Sequence, residues 1–162
     1  MAINYKGFSL LEVITVLAII SISTIAALPY SKRLLEGVRL NTTTNAIKHQ
    51  LIIAKTRALD DSKIHCGVFI DTLNNLVQTY LDDGTPGGND KYDPGSDHIF
   101  MKNYKVPKSL TLKINSGNFS TGVIFRGDGS AKIPGLTLTV NNKYGKSKRI
   151  SVIPSTGRIK LF

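Results

Sequence analysis

At 162 residues, 41% hydrophobic and 20% charged, the chain has the composition of an ordinary folded protein and room for one domain beside its longest apolar run, not for two. Its 21 Lys and Arg against 11 Asp and Glu give a formal charge of +10, and the single cysteine, Cys66, excludes an intramolecular disulfide and any CxxC metal or redox motif. From Met101 onward twelve basic residues stand against one acid, Asp128, which points to an anionic partner for that part: nucleic acid, lipid head groups or an acidic protein.

The first predicted element is the apolar run 8–28. As a helix it extends about 31 Å, enough to cross the hydrocarbon core of a bilayer. A secretory signal has a shorter apolar region, and Thr24-Ile25-Ala26-Ala27 makes a poor cleavage site for one. Lys6 on one side and Lys32 and Arg33 on the other leave the orientation open on charge alone. Neither a plain anchor nor a signal peptide explains Glu12, because an ionised side chain in lipid costs about 2.5 to 3.5 kcal/mol. Glu12 lies only about 6 Å along the helix from Phe8, so a positive group at the helix start is its nearest kind of partner. A new amino terminus at Phe8, made by cutting after Gly7, supplies that charge.

The leader ending in Lys6-Gly7, followed by Phe8-Ser9-Leu10-Leu11-Glu12-Val13, resembles the class III signal of type IV pilins and pseudopilins. The resemblance implies cleavage between Gly7 and Phe8 by a prepilin peptidase and N-methylation of Phe8. It also implies that Glu12 pairs with the terminal amine of a neighbouring subunit during filament assembly, and that Pro29 kinks the helix. The expected organisation is a leader at 1–7, a transmembrane and assembly helix at 8–30, and a periplasmic globular domain at 31–162, on a chain that crosses the inner membrane once before it joins a filament.

Beyond Pro29, Leu40, Ile47, Leu51, Ala54 and Ala58 recur at spacings of seven, four, three and four, which predicts one apolar helical face covering a sheet. Gly37 marks a possible second bend, and Asp60-Asp61-Ser62 a stop. Strand-like runs follow at 64–70, 76–81, 98–101, 109–114, 122–125, 136–140, 149–153 and 158–162. Alternation in Leu136-Thr-Leu-Thr-Val140 and Ile159-Lys-Leu161 predicts half-buried antiparallel strands, with hairpin connections at 141–145 and 154–157. The fold class is therefore α+β: a long N-terminal helix packed on an antiparallel β-rich domain, the pilin fold. Residues 51–71, the acidic turn and strand at 93–100, and the closing stretch 151–160 are similar to the H-type minor pseudopilins and their type IV pilus relatives.

Four further motifs carry candidate chemistry. The loop 82–97 holds Asp82, Asp83, Asp90, Asp93 and Asp97, an oxygen-rich set that suits Ca²⁺, yet its spacing is not that of an EF-hand and Lys91 sits inside it. An exposed loop is the expected reading, and no metal or other cofactor is assigned. His65 beside Cys66 makes no metal pair, since adjacent strand residues point to opposite faces. Arg126-Gly127-Asp128 reads as a turn before Gly129-Ser130. The last stretch carries Lys143, Lys146, Lys148, Arg149, Arg158 and Lys160 with Tyr144 and no acid, a composition that attracts phosphate in a salt-sensitive, sequence-independent way.

Some H-type relatives bind DNA for uptake through a basic glycine-arginine motif, which Gly157-Arg158-Ile159-Lys160 resembles with lysine in place of the final arginine. No GxSxG, phosphate loop, carboxylate pair in a cleft or His/Cys/Asp grouping supports catalysis, so no enzyme is expected. The leading expectation is a minor pilin or pseudopilin whose partners are other pilin subunits and the prepilin peptidase, with DNA uptake as the alternative.

Overall fold

The computed structural model describes residues 9–61, 64–82, 92–115, 121–132 and 136–162. The chain divides into two compact units, the first ending at Leu35 and the second beginning at Glu36.

One helix, α1 (Leu10–Asp60), begins in the first unit and ends in the second. The predicted stop holds, with Asp60 as its last residue. Pro29 lies inside α1, and Gly37 does not interrupt it. Proline removes one amide donor and crowds the carbonyl four residues back, that of Ile25, a local loss that a long helix survives. The first unit exposes its apolar side chains: Leu10, Leu11, Ile14, Ile19, Ile22 and Ile25 are all more than half exposed. By length and composition α1 can cross a membrane.

In the second unit the helical face read from the spacing is buried. Leu40, Ile47, Leu51, Ala54 and Ala58 are at most 3% exposed. They join one core with the inward side chains of two antiparallel sheets. The first sheet contains β1 (His65–Asp71), β2 (Leu76–Asp82), β3 (His98–Ile99), β4 (Tyr104–Lys105) and β6 (Gly122–Phe125); β1 lies between β2 and β6, while β3 and β4 share the other edge of β2. The second runs β5 (Leu110–Asn115), β7 (Leu136–Asn142), β8 (Ser147–Ile153), β9 (Arg158–Leu161), in that order, so β5 and β9 are its edges.

Because side chains alternate along a strand, each sheet offers the core one phase of its residues. Cys66, Val68, Ile70, Val77, Val123 and Phe125 come from the first sheet, and Leu110, Leu112, Leu136, Leu138, Val140, Ile150 and Val152 from the second. Cys66 is fully buried and packs as a small apolar residue. The opposite phase of the first sheet buries Tyr80 and Ile124, and the ring of Tyr92 covers it at 4.6 Å from Phe69 and 4.9 Å from Tyr80. Gly67 is required there, since a Cβ would strike the Tyr80 ring across the register pair Gly67 and Tyr80.

Candidate functional site

The N-terminal segment brings together one acid and a set of satisfied hydroxyls. The Ser9 carbonyl accepts from the amides of Glu12 (3.0 Å) and Val13 (3.3 Å), which starts the helix and puts Glu12 in its first turn. Unpaired amides there favour a negative side chain. Glu12, Val13, Val16 and Leu17 line one shallow recess. Within the apolar run the polar side chains fold back on the backbone: Thr15 donates to the Glu12 carbonyl at 2.8 Å, Ser21 to Leu17 at 2.7 Å, Ser23 to Ile19 at 2.8 Å and Thr24 to Ile20 at 2.8 Å. The hydrogens of these four hydroxyls are satisfied inside the helix, which lowers their cost in hydrocarbon. Glu12 is the one side chain of the run whose charge a helix cannot neutralise internally. Gly7 and Phe8, the expected cleavage pair, lie outside the described residues.

The six basic candidates near the end of the chain do not form one surface. Lys143 and Lys146 sit in the four-residue connection between β7 and β8, which is closed by the Asn142 amide on the Lys146 carbonyl (2.9 Å), with Gly145 at φ +80°. The Asn142 side-chain oxygen accepts from the amides of Tyr144 (3.0 Å) and Lys146 (2.9 Å), and the Lys143 ammonium lies 5.2 Å from the Tyr144 ring centroid. Lys148 shares the phase of the buried Ile150 and Val152.

Arg149, Arg158 and Lys160 belong to the opposite, outward phase. Register places Arg149 beside Thr139, Lys160 beside Ser151 and Arg158 beside Ile153. The same rows reach β5, where Lys113 pairs with Thr139. Sequence reasoning did not include Lys113, although the alternation of Leu110-Thr-Leu-Lys-Ile-Asn115 carries the signal: its polar phase faces away from the core. Four cations therefore share this face with Thr111, Asn115, Thr137, Asn141, Ser147 and Ser151, and none of its described residues is acidic.

The turn before β9 is fixed from below. Gly157 is buried with φ +55°, and a Cβ there would run into the Gly129 carbonyl. Lys55 of α1 donates to the carbonyls of Thr156 (2.8 Å) and Gly157 (3.3 Å). Gly129 closes the predicted turn after β6, where the Asp128 carboxylate accepts from the Ser130 amide at 2.8 Å.

Of the five aspartates, Asp83 and Asp90 lie outside the described residues. Asp82 is 4% exposed at the end of β2, and the Asp97 carboxylate accepts from the Asp93 amide at 2.7 Å within its own turn. Burial first, then the charges of Asp82, Asp97 and Asp93, push the Tyr80 phenol above its ordinary value. Among the described residues no three of His, Cys, Asp and Glu come together as a metal site.

Residues 3–28 match the family model of the prokaryotic N-terminal methylation motif. The N-terminal segment carries this prepilin-type motif. The fold behind the motif agrees. The minor pseudopilin EpsH from the type 2 secretion system of Vibrio cholerae superposes with a TM-score of 0.57 at 16% identity, over 76% of this chain and 96% of that one. The type IV minor pilin FimU of Pseudomonas aeruginosa gives a TM-score of 0.55 at 16% identity, over 78% of this chain and 90% of its own. No curated protein matches the sequence. The predicted α+β pilin fold, a long N-terminal helix with antiparallel sheets, is thus the observed one.

Proposed function

We propose that this pilin-like chain is a minor pilin or pseudopilin. A prepilin peptidase cuts it between Gly7 and Phe8 and methylates Phe8. The run 8–28 holds it in the inner membrane with the globular part in the periplasm. The same helix then carries it into a type II secretion pseudopilus or a type IV pilus, where it aids initiation or tip assembly together with other pilin subunits. The observation that carries this reading is Glu12: one carboxylate in the first turn of an exposed apolar helix whose hydroxyls are already satisfied. An ion left alone in lipid costs several kcal/mol, and a neighbouring subunit's terminal amine removes that cost only when the subunits assemble.

Two measurements test it. Intact mass with N-terminal sequencing of the mature protein should find N-methylated Phe8; a mature start at Leu28 overturns the reading in favour of an ordinary exported protein. Glu12→Leu should be cut and methylated as the parent is, yet be lost from sheared filament or pseudopilus fractions. Normal incorporation of Glu12→Leu removes the proposed role of this carboxylate.

A further inference from the structure

The outward face of the β5–β7–β8–β9 sheet has no part in the core or in the N-terminal segment. We propose that this face, through Lys113, Arg149, Arg158 and Lys160, docks an acidic face of a different protein subunit. The inference rests on the reading that the chain assembles with other subunits, and it names the chemistry of one of them.

Strands lie about 4.8 Å apart and alternate residues about 6.8 Å apart, so Lys113 and Arg149 stand about 10 Å from each other across β7, and Arg149, Lys160 and Arg158 follow at about 7 to 8 Å steps. These spacings are comparable to the Debye length, about 8 Å at physiological salt, so the four potentials overlap. The intervening Thr139, Thr137 and Ser151 are half-buried hydroxyls that fill the rows between the cations.

Two other occupants fit less well. A second copy carries the same +10 charge, and long-range repulsion opposes its approach. Phosphate attraction alone gives nucleic acid only non-specific, salt-sensitive binding; tighter binders add an element that enters a groove or several aromatic platforms on which successive bases stack. The described residues of this face provide no such element, and Phe162, 67% exposed and paired with Arg149 through mutual backbone hydrogen bonds of 2.9 and 3.0 Å, is the one aromatic among them. Arginine beside an exposed aromatic, with Ile153 next to Arg158, is instead the composition of protein interfaces.

The test uses the full chain in detergent, with fluorescent poly-L-glutamate and a duplex DNA as probes, titrated at several salt concentrations. The variant Lys113→Gln/Arg149→Gln/Arg158→Gln/Lys160→Gln should lose about tenfold or more in affinity for polyglutamate and show a shallower salt dependence. The loop variant Lys143→Gln/Lys146→Gln should stay within about twofold of the parent. Arg149→Gln/Lys160→Gln, less perturbing to the fold, should fall between. Unchanged polyglutamate affinity in a folded four-site or two-site variant overturns the proposal. So does tighter binding of DNA than of polyglutamate with the loss confined to DNA, which makes the face a nucleic-acid surface. Glu12→Leu keeps this face intact, so its incorporation phenotype is read independently: failure of the assembly reading and failure of the docking face give different results.

Discussion

The ammonium of Lys55 donates to the carbonyl of Thr156 at 2.8 Å, fastening α1 to the turn between β8 and β9. The Gly157 carbonyl accepts from the same group at 3.3 Å, and the lysine stem lies over Gly129. One side chain thus ties the helix to the turns of both sheets. Lys55→Met keeps the stem and removes the donors; because the Thr156 carbonyl is near solvent, the expected cost is about 1 kcal/mol, a fall of about 3 °C in the unfolding midpoint followed by circular dichroism. No change would mean that water replaces the ammonium without loss.

Gly157 and Gly145 both have positive φ, at +55° and +80°, but differ in surroundings. A Cβ on Gly157 meets the Gly129 carbonyl, whereas nothing lies within 4 Å of one on Gly145. Gly145→Ala should therefore cost only the backbone strain, about 1 kcal/mol, and Gly157→Ala about 2 to 3 kcal/mol or more. Denaturant midpoints of the two variants, compared side by side, separate strain from collision.

Ile47 is fully buried and Ile52, on the same helix, is 43% exposed. Ile47→Ala should destabilise by about 2 to 5 kcal/mol, through lost transfer energy and the cavity left behind. Ile52→Ala should stay within about 0.5 kcal/mol of the parent. Equal effects in chemical denaturation would place the core face wrongly.

Stability should fall with acid in two stages. Burial first, and then Lys132, holds the His65 imidazole below its ordinary value. The unfolded chain then binds that proton first, so the contribution is complete above about pH 6.5 and is lost as the pH falls from there to the folded value. The carboxyl of Glu36 is held low by the Ser109 hydroxyl and then by Arg39, whose guanidinium lies 2.8 Å away, against the opposing effect of burial. Asn74 does the same for Asp71 and Ser130 for Asp128. These carboxylates contribute fully above about pH 4 and are lost below it, as the pH falls through their depressed folded values. Unfolding midpoints against pH should show both stages; His65→Asn should abolish the upper one, and Glu36→Gln should make the lower one shallower.

The elements that follow from local pattern were legible in the sequence. The buried helical face, the strand β6 and the glycine turns at Gly145 and Gly157 all rest on spacing or on one residue's backbone freedom. What was not legible depends on contacts distant in the chain. β4 has only two residues, too few for alternation, and exists because Leu76 and Val77 offer Tyr104 and Lys105 a free edge. The division into two sheets is a matter of pairing partners. The basic residues near the end of the chain were visible as a composition, but strand phase separates Lys148 from Arg149, and register across three strands joins Lys113 to them. At the N-terminal segment the reverse holds: Glu12 stands out in the sequence alone, because a lone acid among apolar residues needs no fold to be costly.

As the outermost strand of its sheet, β9 leaves one row of backbone groups open to any extended segment that approaches. Arg158 and Lys160 occupy alternate positions along it, so a second copy of β9 laid against the first would set like charges side by side. These two cations thus act as gatekeepers at the sheet's border: they discourage edge-to-edge sheet growth between copies.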